Sequence, residues 1–599
     1  MIRVAFMLVV ATTVANCVAV TEGNPDWWKT AVFYQIYPRS FKDSNDDGIG
    51  DLQGISSKLQ YLHDLGVNAT WLSPIFQSPQ VDQGYDISDY RTVDNVFGSN
   101  EELLNLIEEA KKLGIKIILD FVPNHTSDRH YWFNQSLDND EYYKDFYIWR
   151  EGRNNNSEPP NNWLSNFKGS AWTYREERQM WYYHNFAEAQ PDLNYNNPKV
   201  VQAMKDVLTY WLDNGVGGFR VDAVQYLFED ESFKDEPQSG DENAGPNDYE
   251  YLKHIYTSDL DKTYDMIYQW RDLMENYTKT KGGDDRIFMT EAWTTFNNTM
   301  LYYGTSDGSR LGAHFTFNFD FIASATANSS ASDLKAIIDR WITELPSRYV
   351  PNWVLGNHDR HRVATRYGVE HVDALTMMQA ILPGVQITYN GEEIGMVDGQ
   401  VTCQQGHDPI DNANCTKFDE VSRDFERTPF QWDTTINAGF SKADPQSLWL
   451  PVGKDYKTTN VAVEEKDNKS HLSIYKTVVS LRHSIPKEAT TETNLEGNVL
   501  MITRNVNSTN VYHYVYNRAN EEAICNLPHK LQHSTYKIIA VSGKSTYSLG
   551  DVVEQKLKLA SNESLILSEI ENSDDAASGL AVTYITFFSI IIGMLNIIQ

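Results

Sequence analysis

Short apolar runs, spaced by amphipathic stretches, mark out most of the chain. The runs rich in β-branched and aromatic residues are 31–37 (AVFYQIY), 68–73 (NATWLS), 115–122 (IKIILDFV), 217–224 (GGFRVDAV), 286–293 (RIFMTEAW), 312–319 (GAHFTFNF), 351–357 (PNWVLGN) and 384–390 (GVQITYN). Each has the length and composition of a buried strand. Between most of them apolar residues recur at helical spacing. Residues 99–114 (SNEELLNLIEEAKKLG) pair Ser99 with Glu102 as a capping box and end on a glycine. Residues 197–215 and 331–345 carry the same helical period. Strands alternating with helices predict parallel βαβ units. Eight such strands predict an α/β fold of the TIM type, a closed (β/α)8 barrel, with a doubly wound open sheet as the alternative.

The spacing is uneven. Residues 126–190, polar, aromatic and Asn-rich, separate the third strand from the next helix, and a connection that long is usually functional. They read as an inserted subdomain over the barrel mouth. Beyond 485 the helical pattern stops, and β segments such as 511–517, 536–541 and 564–568 predict a C-terminal antiparallel β domain. The expected layout is a barrel at 24–125 and 191–485, the insert at 126–190 and the β domain at 486–570.

Composition narrows the function. Of 599 residues 41% are hydrophobic and 12% aromatic, enough for a packed core and too many for a disordered polymer. Four cysteines cannot staple a chain of this length. The net charge of −31 argues against nucleic acid, whose phosphates need a basic footprint.

The two ends point to export. Residues 1–20 have a basic Arg3, an apolar stretch from Val4 to Val14 and small residues around Ala15 and Ala19, the pattern of a signal peptide. Residues 571–599 join a small, polar segment to the apolar LAVTYITFFSIIIGMLNIIQ, with no Lys or Arg after it. That matches a GPI-attachment signal, with Asn572, Ser573 or Asp575 as the attachment residue; a retained helix would lack its basic anchor. The expected location is the outer face of the cell membrane. Asn-x-Ser/Thr sequons at Asn68, Asn134, Asn155, Asn276, Asn297, Asn328, Asn414, Asn468, Asn507 and Asn562 fit a secretory route, whereas Asn124 lies in a motif expected to line the site. Cys403 and Cys415, in a polar loop, suit a disulfide in an oxidising compartment, and Cys525 a buried thiol.

Catalytic groups of such a barrel sit at the carboxyl ends of its strands. Polar clusters occupy those ends here: Asp120 and His125, Arg220 and Asp222, Glu291, and His358 and Asp359. One such residue is commonly an ion pair or a cap, but all of them at one rim would be costly to bury without a use. Carboxylates with Arg and His, and no Ser or Cys nucleophile motif, suit glycoside hydrolysis.

The runs DFVPNH (120–125), QPDLN (190–194), GFRVDAV (218–224), TEAW (290–293) and GNHD (356–359), in this order, resemble the α-amylase family of glycoside hydrolases. Within it the chain is similar to the α-glucosidases of the insect gut maltase type, over roughly residues 25–570. The resemblance implies that Asp222 is the nucleophile, Glu291 the acid/base and Asp359 the carboxylate that holds sugar hydroxyls. Arg220 should keep Asp222 ionised, and Glu291 should be protonated near neutral pH, its pKa raised by burial and neighbouring carboxylates. His125 and His358 resemble hydroxyl-binding histidines. Asp82 and Tyr85 resemble the pair that holds the terminal glucose, and Arg423, in preference to Arg427, the arginine that pairs with such an aspartate. Phe167 and Phe186 resemble pocket-wall aromatics. Gln190 and Ala223 resemble the α-1,4-preferring members, so maltose, sucrose and short maltooligosaccharides are the expected substrates.

Residues 43–51 (DSNDDGIGD) offer alternating oxygen ligands but have Gly54 where an EF-hand needs Glu. The resemblance implies a structural Ca²⁺ site of Asp43, Asn45, Asp47, the Ile49 carbonyl and Asp51, with Asp46 pointing outward. No organic cofactor is expected. It also brings in two other roles: a non-catalytic partner of amino-acid transporters, whose members lose catalytic carboxylates retained here, and docking by exogenous bacterial toxins.

Overall fold

The computed structural model describes residues 23–410, 415, 417–507, 510–531 and 534–571. The leader at 1–20, the tail from 572 onward with its attachment residues, and the sequon at Asn414 lie outside the described residues. Among the described residues no helix is long and apolar enough to cross a membrane.

Eight parallel strands form one sheet: β1 (Val32–Ile36), β2 (Ala69–Leu72), β3 (Lys116–Phe121), β4 (Gly218–Val221), β5 (Ile287–Thr290), β6 (Phe315–Thr316), β7 (Asn352–Val354) and β8 (Val385–Tyr389). Each falls inside one of the predicted runs. Their order is β6-β5-β4-β3-β2-β1-β8-β7, so the sheet curls nearly shut and only the β6–β7 ladder is missing. Asn352, fully buried, bridges that gap with its side chain. Its amide Nδ2 donates to Thr316 O at 2.6 Å, and its Oδ1 accepts from Asn318 N at 2.8 Å. One side-chain amide thus replaces two ladder bonds that buried backbone groups would otherwise lack.

The helices α1 (Asn100–Lys112), α2 (Pro198–Asp213), α3 (Asp261–Lys281), α4 (Ala331–Thr343), α5 (Val372–Ile381) and α6 (His471–Ser484) surround the sheet. Helix α1 turns Leu103, Leu106, Ile107 and Ala110 inward, at the period that the sequence showed. Ser99 caps it by accepting from Glu102 N, but Glu102 does not return the bond to the Ser99 backbone; its carboxylate binds the Ser99 hydroxyl and Gln53. The reciprocal capping box belongs to α4, where Ser330 and Asp333 exchange both bonds.

The insert at 126–190 carries a small antiparallel sheet of Trp149–Arg150, Met180–Tyr183 and Trp172–Arg175 over its own aromatic core of Trp163, Trp172 and Tyr183. A second long excursion, the segment from 227 to 260 after β4, was not anticipated. It packs on the insert: Trp163 Nε1 donates to Lys234 O, Asn162 N to Asp235, and the Arg150 guanidinium covers the Phe233 ring. A third, after β8, includes the Cys403–Cys415 disulfide.

Beyond α6 the chain forms β9 (Thr490–Glu496), β10 (Val499–Asn505), β11 (Val511–Asn517), β12 (Ala523–Asn526), β13 (Ser534–Val541), β14 (Val552–Val553), β15 (Lys556–Leu559) and β16 (Ser564–Glu571). A six-stranded antiparallel sheet, β9-β10-β11-β16-β13-β14, faces the β12–β15 pair. Cys525, a buried free thiol, lies in the core between them. The opposite face of the large sheet packs on the barrel, with Tyr514 and Tyr516 bonded to Ala374 O and His371. The last strand runs to Glu571, the final described residue.

Candidate active site

Register places the central charges. In β4 the side chains of Arg220 and Asp222 alternate past Val221 and so share the inner face. Asp120 of β3 stands opposite Arg220 in the ladder. The next rung up joins Asp222 N to Phe121 O at 2.9 Å and Glu291 N to Val221 O at 2.9 Å. The ends of three adjacent strands therefore bring Asp120, Asp222 and Glu291 around one guanidinium.

Arg220 is 1% exposed. Its Nη1 bonds Asp222 Oδ1 at 2.6 Å and both Asp120 oxygens at 2.9 and 3.0 Å, and its Nη2 lies 2.7 Å from Glu291 Oε2. Its guanidinium carbon sits 4.7 Å from the centre of the Trp71 ring. Burial raises the Asp222 carboxyl; Arg220 opposes this, and the Glu291 and Asp120 charges add to it, leaving it well above the ordinary value. For Asp222 the sequence led to the opposite expectation, a carboxylate kept ionised by Arg220. The difference arises because Arg220 is divided among three carboxylates. Asp120, below them, is pushed up to about 6 by burial, against the pull of Arg220.

Asp359 follows β7 on a turn in which Asn357 Oδ1 accepts its N–H at 3.0 Å. Burial disfavours its anion, but His358, Arg427 and Arg423 outweigh this and hold the carboxyl well below the usual range. Arg427 Nη2 lies 2.7 Å and Arg423 Nη1 3.3 Å from Asp359 Oδ1. Burial pushes His358 down to about 3, so near neutrality it is uncharged and the two arginines carry the stabilisation. Its Nδ1 meets Gln35 Nε2 at 2.8 Å and its Nε2 meets the Tyr85 hydroxyl at 2.6 Å. Tyr85 stacks on the same imidazole and donates to Asp120 at 3.2 Å. His125, also pushed down to about 3 by burial, bonds Gln190 Nε2 at 3.0 Å.

These groups border one cavity of about 320 Å³. Asp82, Tyr85, His125, Phe167, Phe186, Asp222, Ala223, Glu291, Asp359 and Arg423 line it. Arg220 and His358 lie behind that lining and act through Asp222 and Tyr85. Arg423 Nη2 bonds Asp82 Oδ1 and Asp408 Oδ1, each at 2.8 Å, so the arginine reaches from the loop after β8 across to the loop after β2. Phe167 and Phe186 meet edge-to-face, with Phe167 under the Arg423 guanidinium. Asn124 is buried and its amide bonds Asp192 and Tyr226 O, which leaves no room for a glycan.

Other lining residues escaped the sequence reading. Trp293 donates from Nε1 to Glu291 Oε1 at 3.0 Å and stacks on Phe319, orienting the carboxylate; it stands in the TEAW run. Arg427, weighed in the sequence against Arg423, lies behind the lining and holds Asp359. Gln225 and Tyr226 follow directly on the GFRVDAV run, whereas Asn166 and Asp408 had no signal, since loops 126–190 and 400–427 bring them in from remote parts of the chain.

In residues 43–51 the side-chain oxygens bind the loop's own backbone. Asp43 accepts from Asn45 N, Asp46 N and Gly48 N, Asn45 from Asp47 N, Asp47 from Ile49 N, and Asp51 from Ser44 N and Gly54 N. Asp46 is exposed and has φ 65°. The donors are all hard oxygen atoms, and a carboxylate or carbonyl oxygen that accepts one hydrogen bond keeps a further lone pair. The oxygens of Asp43, Asp47 and Asp51 are not gathered within 4.8 Å of one another, as three such groups are elsewhere in the described residues.

The description "alpha amylase, catalytic domain" fits residues 35–491. The chain is 52% identical over 470 residues to Maltase 1 of Drosophila virilis, covering 77% of this chain and 73% of that one. It is 45% identical over 548 residues to Maltase A1 of Drosophila melanogaster, covering 89% and 94%. Among solved structures, the alpha-glucosyl transfer enzyme XgtA superimposes with a TM-score of 0.79 at 33% identity, over 90% of this chain and 99% of that one.

The raised Asp222 carboxyl has a consequence for stability. A group whose folded pKa lies above its unfolded value contributes stability that is complete below the unfolded pKa, here 3.8, and is lost as pH rises through the folded pKa. Asp222→Asn removes that loss. Its thermal midpoint should match the parent at about pH 4 and exceed it increasingly toward about pH 8. A gap that closes with rising pH would refute the raised carboxyl.

Proposed function

The chain belongs to the α-amylase family of glycoside hydrolases, and from that premise we propose that it is an exo-acting α-glucosidase that removes single glucose units from maltose, sucrose and short α-1,4-linked maltooligosaccharides with retention of configuration. The observation that carries this is the Arg423–Asp82 bridge, backed by Asp408, which ties the loop after β2 to the loop after β8 across the cavity lining. A terminal sugar fits such a cup, and a continuous chain does not run through it.

The division of labour follows from the geometry. Asp222 and Glu291 are held on the two terminal nitrogens of one guanidinium, an arrangement that favours the shorter carboxyl separation of retaining enzymes. Asp222 attacks the anomeric carbon while Glu291 gives its proton to the leaving oxygen. The glucosyl ester on Asp222 is then opened by water, whose proton returns to Glu291. Asp359, held ionised by Arg427 and Arg423, accepts hydrogen bonds from sugar hydroxyls. Neutral His125 and Tyr85 with Asp82 take the remaining hydroxyls, and Phe167 and Phe186 supply apolar faces. A non-catalytic partner role is disfavoured, because Asp222, Glu291 and Asp359 are all present and all face the cavity.

The enzyme is further proposed to be exported and held at the outer membrane face by a GPI anchor, on the apolar leader at 1–20 and the small-residue segment and apolar run of 571–599. The loop 43–51 is proposed to take a structural Ca²⁺, on its hard oxygen donors; the ion would tie the loop after β1 together, outside the chemistry.

With maltose, the first glucose released should be the α anomer, followed by polarimetry or NMR. Asp222→Asn should fold and lose roughly 10⁴-fold or more in kcat. Release of the β anomer, or near-parental turnover by the variant, would sink the assignment. Phosphatidylinositol-specific phospholipase should free the activity from expressing cells, and activity that stays with the membranes would exclude the anchor. Chelation should lower the thermal midpoint, with Ca²⁺ restoring it in the parent and not in Asp43→Asn; a midpoint indifferent to Ca²⁺ would remove the ion from the account.

A further inference from the structure

We propose that His361, Asp398 and Glu426 form a binding site for a first-row divalent transition-metal ion, Zn²⁺ by preference, at the barrel rim beside the active-site pocket. Each offers one ligand atom, and the three lie within 4.8 Å of one another. His361 Nδ1 is 2.7 Å from Asp398 Oδ2 and 3.8 Å from Glu426 Oε2.

A proton on His361 satisfies only part of this arrangement. One Nδ1–H can serve one oxygen, and Asp398 is the nearer. Glu426 is then left with a side chain 2% exposed whose Oε2 has no hydrogen-bond partner. Leaving a buried carboxyl oxygen unpaired is costly. A cation that accepts a lone pair from all three atoms removes that cost. The Asp398 carboxylate is already oriented, since its Oδ1 accepts from Arg362 N at 2.7 Å. The His361 side chain is 42% exposed, which gives an entry path and room for a water ligand.

The donor set chooses the ion. An imidazole nitrogen disfavours Ca²⁺ and Mg²⁺, and a His with two carboxylates at about 2.0–2.2 Å suits Zn²⁺. The site would join the segments after β7 and β8. Glu426 adjoins Arg427, whose Nη2 holds Asp359 Oδ1 at 2.7 Å, so the bound ion would stiffen the support of a pocket carboxylate.

The test is calorimetric titration of Zn²⁺ into the full, tag-free enzyme after chelation, with Ca²⁺ present throughout. The parent should bind one equivalent that His361→Ala and Glu426→Gln each weaken by more than about 100-fold, since even outer-shell partners are worth 10–100-fold. Asp43→Asn should leave this binding unchanged. Zn²⁺ should also raise the thermal midpoint of the parent and not of His361→Ala. His361→Ala alters a half-exposed side chain, so it decides the matter even where Glu426→Gln folds poorly. Equal Zn²⁺ affinity in the parent and His361→Ala, or no binding tighter than millimolar, would overturn the proposal.

Discussion

The site rests on one buried cation. Arg220 holds Asp120, Asp222 and Glu291 together at the ends of three adjacent strands, where like charges would otherwise force each other apart. Its planar fork is what makes this work, because two terminal nitrogens can bind separate carboxylates at the same time. A lysine would offer a single point of attachment. The parallel ladder supplies the rest: Asp120 opposite Arg220, then Asp222 and Glu291 one rung higher. Strand register thus sets the separation of the two reacting groups, and rigid elements hold it better than loops can.

Around that centre, two further arginines do the equivalent work for the sugar-binding side. Arg423 and Arg427 come from the long connection after β8 and reach Asp82, Asp408 and Asp359. The result is a row of carboxylates whose charge states differ because their partners differ. Asp359, with two arginines, is held ionised, whereas Asp222, with a share of one, is raised. The buried His125 and His358 remain neutral and serve as fixed hydrogen-bonding groups. Pocket shape and proton location therefore come from the same distribution of guanidinium groups.

The barrel itself is closed by an unusual device. No ladder joins β6 to β7, and the Asn352 amide satisfies the facing backbone groups instead. The three excursions that build the pocket wall leave from the ends of strands, and those at 126–190 and 227–260 pack on each other through Trp163, Phe233 and Arg150. Loop-on-loop packing of this kind lets a common scaffold carry a specific cup.

The amino-acid sequence by itself determined the strand–helix alternation, the positions of all eight barrel strands, and which carboxylates stand at their ends. Those are local matters: burial on both faces of a parallel strand writes a continuous apolar run, and a charged residue directly after it stands out. The family resemblance also pointed to Asp82, Tyr85 and Arg423, and the structure brings these into one cavity. Only the tertiary structure decided that Arg220 is shared among three carboxylates, that the raised carboxyl is Asp222, and that Asp408, Asn166, Tyr226 and Trp293 complete the surroundings of the site. Proton affinity and pocket closure depend on distances between segments hundreds of residues apart, such as Asp82 and Arg423, and no local pattern in a chain encodes such a distance.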